Sequence, residues 1–359
     1  MTTPQFGFCL PIFACPGFNL FRTPNYRELD ASKTMALGKR ADELGYDSLW
    51  VADHLMLGKD EAILEGWTVI SALAGATSRA KLGVIHQALL FRNPALAAKM
   101  AATLDQISGG RLIHFMDCGY MRREYVNYGL PWDDDVETRI AKLVEATELI
   151  LALWAADAPL TRKGAAYEVT DAVCTPKPVQ HPHPPLWFGE ATPGILDACA
   201  RFGQGWNTTP VSLTELRRRL DLLRDACERA GRSLDEIELS LETQILVAPD
   251  IAALRERLRE MVALAEQAGQ NLPNEIQPFL DSYAMAPDFR AFVAGESDTL
   301  PSRMTEDWVI GTPDKVEQRL RAYIAGGISH FMLWFMDAPR SDGLDLFASD
   351  VMPRFRETG

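Results

Sequence analysis

The chain has 359 residues, 47% hydrophobic and 24% charged, the balance of an ordinary folded protein, which excludes a disordered or fibrous chain. Its 36 basic and 49 acidic side chains leave a formal charge of −13, which speaks against wrapping nucleic acid or docking on an anionic membrane. No run approaches the roughly 20 apolar residues of a membrane span, and the length suits one α/β barrel as well as two average domains.

The apolar N-terminus lacks a basic leader and is broken by Pro11 and Pro16. It reads as a buried first strand over residues 5–13, not as a signal peptide. A helix over 30–45 follows, with Gly45 as its stop signal. Next come a strand over 46–54, a helix over 67–77 and a strand over 81–90. Pro94 opens a third helix at its favoured first position, Gly109-Gly110 end it, and 111–119 is a fourth strand. A long helix over 136–154 leads into an excursion at about 155–185 with short strands of its own. The alternation resumes with strands over 185–191, 205–209 and 236–247 and helices over 192–203, 212–231 and 250–269. A second excursion, about 270–307, has weak periodicity. A helix over 312–327 and a strand over 329–336 complete the series, with 345–356 left to close the outer ring.

Strand-then-helix repetition predicts a parallel sheet with crossover helices. Eight strands predict a closed (β/α)8, or TIM, barrel forming a single domain over 1–359. The doubly wound alternative would carry a G-x-G-x-x-G turn after its first strand; residues 11–17 read PIFACPG instead. The six cysteines are scattered with no C-x-x-C spacing, which reads as reduced thiols of a cytoplasmic protein.

In such a barrel chemistry sits at the C-terminal ends of the strands. Those ends carry Phe13, Asp53-His54, His86-Gln87, Asp117-Cys118-Gly119, Gly189-Glu190-Ala191-Thr192, Trp206, Glu242-Thr243-Gln244 and Trp334. His330 starts its strand and therefore lies at the other end from His54 and His86, so no metal site is expected. No G-x-S-x-G elbow occurs. The set suits a large planar cofactor held by a few polar contacts, with Phe13, Trp206 and Trp334 as an apolar substrate pocket.

Arg92-Asn93-Pro94-Ala95, Leu104-Asp105, Ser108-Gly109-Gly110-Arg111, Gly119, Glu124-Tyr125 and Tyr128-Gly129 together resemble the signature of the bacterial luciferase-like superfamily. Residues 45–54, Gly311-Thr312-Pro313 and Gly326-Gly327 match it too, in one register over nearly the whole chain. The resemblance implies a flavin (FMN) or its deazaflavin relative, coenzyme F420, at the strand ends. It implies His54 as the catalytic base or hydrogen-bonding group. It places the cofactor against Asp53, Gln87, Asp117 and Gly119, with a non-prolyl cis peptide at the end of strand three. The phosphate is expected at Gly189, Glu190, Ala191 and Thr192, where helix N–H groups and dipole favour an anion. Luciferases carry an arginine where Cys118 stands, so a phosphate contact must come from elsewhere. The sugar-phosphate dehydrogenases of the deazaflavin branch carry an acid where Tyr120 stands. The alkanesulfonate branch has an R-x-H pair where this chain reads Glu242-Thr243-Gln244, which excludes a sulfonate.

The expected function is therefore a two-component monooxygenase. It would take reduced FMN from a separate NAD(P)H:flavin reductase, form a 4a-hydroperoxyflavin with oxygen, and oxygenate a small, mostly apolar molecule. The alternatives are F420-dependent hydride transfer and a non-catalytic flavin-binding protein. A homodimer or higher homo-oligomer, packed through helices two and three, is implied by the resemblance.

Overall fold

The computed structural model describes residues 3–16, 22–267 and 286–356. Its barrel strands are β1 Gln5–Cys9, β2 Ser48–Ala52, β3 Lys81–Ile85, β4 Leu112–Met116, β7 Leu186–Gly189, β8 Gly205–Thr208, β9 Glu238–Val247 and β11 His330–Phe335. They pair in parallel in that order, and β11 closes on β1 with Gln5 opposite His330. The (β/α)8 barrel read from the sequence is the observed fold. Helices cover the outside, so both strand faces are dry and β2, β4, β7 and β11 hold no exposed residue.

Helix ends follow local chemistry. In α1 (Ala31–Leu44) the Asp30 carboxylate accepts from the N–H groups of Ser32 and Lys33, and Gly45 ends the helix at φ 91°. In α3 (Pro94–Ser108) Asn93 caps, Pro94 opens and Gly109 closes at φ 67°. The other barrel helices are α2 Gly66–Ala76, α5 Val136–Ala155, α6 Pro193–Phe202, α7 Leu213–Arg229, α8 Ile251–Gln267 and α11 Pro313–Ala325. A short α4, Arg122–Asn127, follows β4 and has no counterpart in the expected elements.

Several strands stop earlier than their apolar runs. The third leaves the ladder after Ile85, where the Ala88 N–H turns to the Asp53 carboxylate, and one parallel bridge, Ala88 with Asp117, follows. The first excursion is an antiparallel hairpin, β5 Leu160–Lys163 with β6 Glu168–Ala172. Its turn is tied to α5 by Glu145, which accepts from the N–H groups of Ala165, Ala166 and Tyr167. Of the second excursion, residues 270–285 lie outside the described residues. The remainder forms α9 Pro287–Ala294, α10 Ser302–Asp307 and a short strand β10 Val309–Gly311 beside the upper half of β9. Phe289, Phe292, Met304 and Trp308 pack there against Leu254, Leu258 and Met261 of α8.

Much of the motif that carries the resemblance is structural. Asp105 accepts from the N–H groups of Val179 and Gln180. Arg111 donates to the carbonyls of Ala74, Thr77, Ala80 and Ser108. Both clamp loops at the lower end of the barrel. All six cysteines are buried and free, and no helix among the described residues is long and apolar enough to cross a membrane.

Indoles and glycines interlock inside the lower barrel. The rings of Trp50 and Trp187 lie 5.5 Å apart. A Cβ at Gly83 would meet Trp50 at 2.0 Å, and one at Gly205 would meet Trp187 at 2.3 Å. His330 sits beneath them, with Ser48 Oγ at 2.7 Å and Glu238 Oε1 at 3.0 Å. Overpacking so tight a layer is costly, so Gly83→Ala is expected to lose about 1–3 kcal/mol. Urea denaturation measures it; an unchanged midpoint would show that the layer relaxes freely.

Candidate active site

The loops after β1, β2, β3 and β4, with Glu242 of β9 and Trp334 of β11, bring two groups of polar side chains to the C-terminal mouth. The first is built on His54. Glu124 on α4 reaches across to the loop after β2, and its Oε1 accepts from the backbone N–H groups of Leu55 and Met56 at 2.7 and 2.8 Å. Its Oε2 lies 3.0 Å from His54 Nδ1. A carboxylate so occupied is acceptor-only, which puts the imidazole proton on Nδ1 and a lone pair on Nε2. The Tyr120 hydroxyl lies 3.2 Å from that Nε2 and in this tautomer is the donor.

The second group surrounds Glu242, which is 1% exposed. Its Oε1 accepts from Arg22 Nη1 at 2.8 Å and Trp334 Nε1 at 2.6 Å, and its Oε2 from His86 Nε2 at 2.9 Å. The other nitrogen of His86 lies 3.5 Å from Asp117. Burial alone would lower the His86 pKa, but its bonds to Asp117 and Glu242 and their charges outweigh that and raise it to about 10. Burial likewise disfavours charge on Glu242, yet Arg22 and His86 bring its pKa down to about 2. The floor of the mouth is thus a fixed cluster of two acids and two cations. Phe13 packs on the Trp334 indole, ring centroids 5.8 Å apart.

The structure sorts the residues picked from the sequence. His54, Asp117 and Gly119 line one narrow cleft with His86 and Tyr120. Asp53 lines it too, but its carboxylate is consumed by Arg92, two bonds of 2.8 Å, and by the Ala88 N–H at 2.9 Å. Asp53 therefore anchors the loop after β3, with its bonds turned to Arg92 and Ala88. Gln87 is 1% exposed and its amide nitrogen has no partner. Gly119 has φ 73°, and a Cβ there would strike the Tyr125 hydroxyl at 2.1 Å. At Gly189 a Cβ would meet the His86 ring at 2.6 Å. Phe13 and Trp334 sit at the mouth, fully buried. Trp206 does not: it shares a strand face with Leu239 and Phe188, which turn to the helices, and its indole donates to the Glu190 carbonyl at 2.9 Å. The cis peptide expected after β3 is also missing; among the described residues every cis bond precedes a proline.

A second cavity, about 270 Å³, opens beyond Asp117, Gly119 and Tyr120 and runs to Glu190 and Thr192. Thr192 is the N-cap of α6 and its side chain makes no capping bond, so simple capping does not explain it. Glu190 takes φ 74°. The helix start without a side-chain cap, at the end of a cavity that Gly119 also lines, fits the phosphate-bearing tail of a planar cofactor.

Four contributors carried no expected role. Arg22 lies in a loop, Tyr120 and Glu124 follow β4, and Glu242 sits mid-strand. Glu124 stood within the motif, but its link to His54 spans 70 positions and no local pattern marks it.

The luciferase-like monooxygenase family model matches residues 16–330. An F420-dependent glucose-6-phosphate dehydrogenase of Amycolatopsis mediterranei (strain U-32) is 26% identical over 327 residues, 89% of this chain and 93% of that one. Its counterpart in Beutenbergia cavernae is 28% identical over 329 residues, 88% of this chain and 91% of that one. Among solved structures, an F420-dependent secondary alcohol dehydrogenase in complex with an F420–acetone adduct superposes with a TM-score of 0.75 at 22% identity. It covers 99% of this chain and 100% of its own. Monooxygenases share the fold as well. These relatives overturn two expectations: reduced FMN as the cofactor, and an oxygenation as the reaction. The named curated relatives are F420-dependent.

Proposed function

Because the chain belongs to the luciferase-like monooxygenase family, and its curated relatives depend on F420, we propose that it is an F420-dependent oxidoreductase that oxidises a hydroxyl-bearing carbon, or reduces the matching carbonyl. The carrying observation is the Glu124–His54 pair: with the neutral ring's proton on the Nδ1 that faces Glu124, Nε2 turns a lone pair to the mouth.

When bound, the deazaflavin supplies a hydride acceptor. The chain supplies the proton chemistry. As a hydride leaves carbon, the hydroxyl proton must leave oxygen, and His54 Nε2 accepts it. Glu124 holds the ring's tautomer and stabilises the imidazolium that forms. The Tyr120 hydroxyl, now bonded to Nε2, marks the direction from which a substrate hydroxyl approaches. Beneath it the Arg22–Glu242–His86 cluster is already paired and adds no free charge. A separate flavin reductase has no place in this reaction, and a purely carrier role would not need a carboxylate-locked imidazole. The substrate is not taken over from the relatives, because Tyr120 stands where the sugar-phosphate dehydrogenases carry an acid.

Fluorescence titration with F420 and with reduced FMN, followed by a screen of alcohols for loss of oxidised deazaflavin absorbance, tests the reading. Saturable F420 binding with turnover of at least one alcohol is expected. Tight binding of reduced FMN with none of F420 would overturn it.

A further inference from the structure

Two side chains of the mouth are held in place yet keep unused hydrogen-bonding atoms. Arg22 spends only Nη1, on Glu242 at 2.8 Å, and its guanidinium lies 5.0 Å from the centroid of the Trp334 ring. Tethered and stacked, it still exposes a quarter of its side chain. Its Nε and Nη2 have no partner among the described residues. Tyr120 is near enough for a charge on its hydroxyl to act on Arg22, which places Arg22 on the same side of the mouth as the His54–Tyr120 pair.

Gln244 stands two residues beyond Glu242 on the same face of β9, opposite Trp334 in the β11 register. It is 5% exposed, and its Oε1 is buried without a partner. An amide oxygen buried and unbonded is costly, and folded proteins keep few of them. Both residues adjoin Trp334, so one wall of the mouth offers free N–H donors from Arg22 and a free acceptor from Gln244.

A hydroxyl is the group that accepts and donates at once. A carbonyl only accepts and leaves the Gln244 oxygen unbonded. A carboxylate does the same and brings a charge for which the cluster has no surplus cation, because Arg22 and His86 are matched by Glu242 and Asp117. A methyl group bonds neither.

We infer that Arg22 and Gln244 read a second hydroxyl of the substrate, which makes the substrate class a neutral diol or larger polyol, not a simple alcohol or a hydroxy acid. This rests on the F420 reading of the preceding subsection. One hydroxyl lies at His54 Nε2; the other accepts from Arg22 and donates to Gln244. At the first carbon the C–H bond breaks and its hydride passes to oxidised F420. The O–H proton passes to His54 Nε2, a C=O bond forms, and the product is a hydroxy ketone or hydroxy aldehyde.

Steady-state reduction of F420 with compounds of one carbon skeleton tests this: the diols, the monohydric alcohol and the hydroxy acid. Wild type is expected to favour its best diol over the monohydric alcohol by about 10- to 100-fold in kcat/KM, the effect of leaving a buried polar group unpaired, and to leave the hydroxy acid behind. In Gln244→Met that ratio should fall about 10-fold while Tm holds or rises, because the variant deletes an unsatisfied buried amide. Arg22→Lys should lower the ratio too, because an ammonium can pair with Glu242 but lacks the second edge of the fork. Equal kcat/KM for diol and monohydric alcohol in wild type overturns the inference and leaves the F420 reading standing. So does a preference for the hydroxy acid, or an unchanged ratio in Gln244→Met. An equal loss for both compounds in Gln244→Met with a lowered Tm also overturns it, and marks Gln244 as a packing residue. If wild type fails to bind F420 or to oxidise any alcohol, the functional reading falls by itself. Saturation-transfer NMR of the diol on the protein alone then decides: contact in wild type that weakens in Gln244→Met supports the hydroxyl reader, and no contact in wild type ends it.

Discussion

Replacing His54 by alanine is expected to lower kcat by about 10²- to 10⁴-fold, the range for loss of a positioned general base, with any alcohol the wild type oxidises. Affinity for F420 should stay within a few-fold, because the imidazole is held by Glu124 and Tyr120 and not by the cofactor cavity. Glu124→Gln separates positioning from proton transfer. An amide can offer His54 Nδ1 an N–H in place of an acceptor, which favours the wrong tautomer. Its kcat should fall substantially too, and the pH profile should change shape, because the imidazolium loses its counter-charge. Stopped-flow reduction of F420 at several pH values measures both. A His54→Ala enzyme with full single-turnover rate would remove the base from the reaction.

The second large effect is on stability. Glu242→Ala leaves Arg22 and His86 in the barrel mouth without the carboxylate that both of them bond. Breaking a buried ion pair from one side costs about 3–5 kcal/mol, and the indole N–H of Trp334 loses its acceptor as well. Glu242→Gln should lose less, since an amide oxygen can still accept. The cluster also imposes a pH dependence. The His86 pKa is raised from 6.5 to about 10, so its contribution is fully present below about 6.5 and is lost as pH rises through 10. The Glu242 pKa is lowered from 4.5 to about 2, so its contribution is present above about 4.5 and is lost as pH falls through 2. Both are complete between 4.5 and 6.5. Thermal unfolding across pH should show a plateau there, with the alkaline limb shallower in Glu242→Ala. A variant with the wild-type Tm and the wild-type profile would show that these charges do not hold the mouth.

The barrel could be read from the chain because each of its parts is marked locally. Asp30 and Gly45, Asn93 and Gly109 announce helix ends, and the doubly buried strands appear as unbroken apolar runs. The ends of the strands were less legible. An apolar run does not say where the backbone leaves its ladder, so the strand read over 81–90 stops at Ile85. In the site, His54 follows from its place after β2. Its partner does not, because Glu124 lies on a six-residue helix that no periodicity announces. Asp53 shows the opposite failure: its position is at the mouth, but Arg92 takes both oxygens. Trp206 failed on parity, since a shift of one residue along β8 sends a side chain to the other face. The choice of cofactor was not written in any of these residues. FMN and F420 share ring shape and tail phosphate, and the relatives, not the strand ends, separate them.

Trp50, Trp187 and His330 plug the lower barrel. Among the described residues, both reactants therefore reach the site from the upper mouth, its doorway, on the side of Tyr120. Whichever settles deeper has to arrive first and depart last, so turnover should follow a compulsory order visible in product-inhibition patterns, and the slower of the two departures sets how long the doorway stays shut.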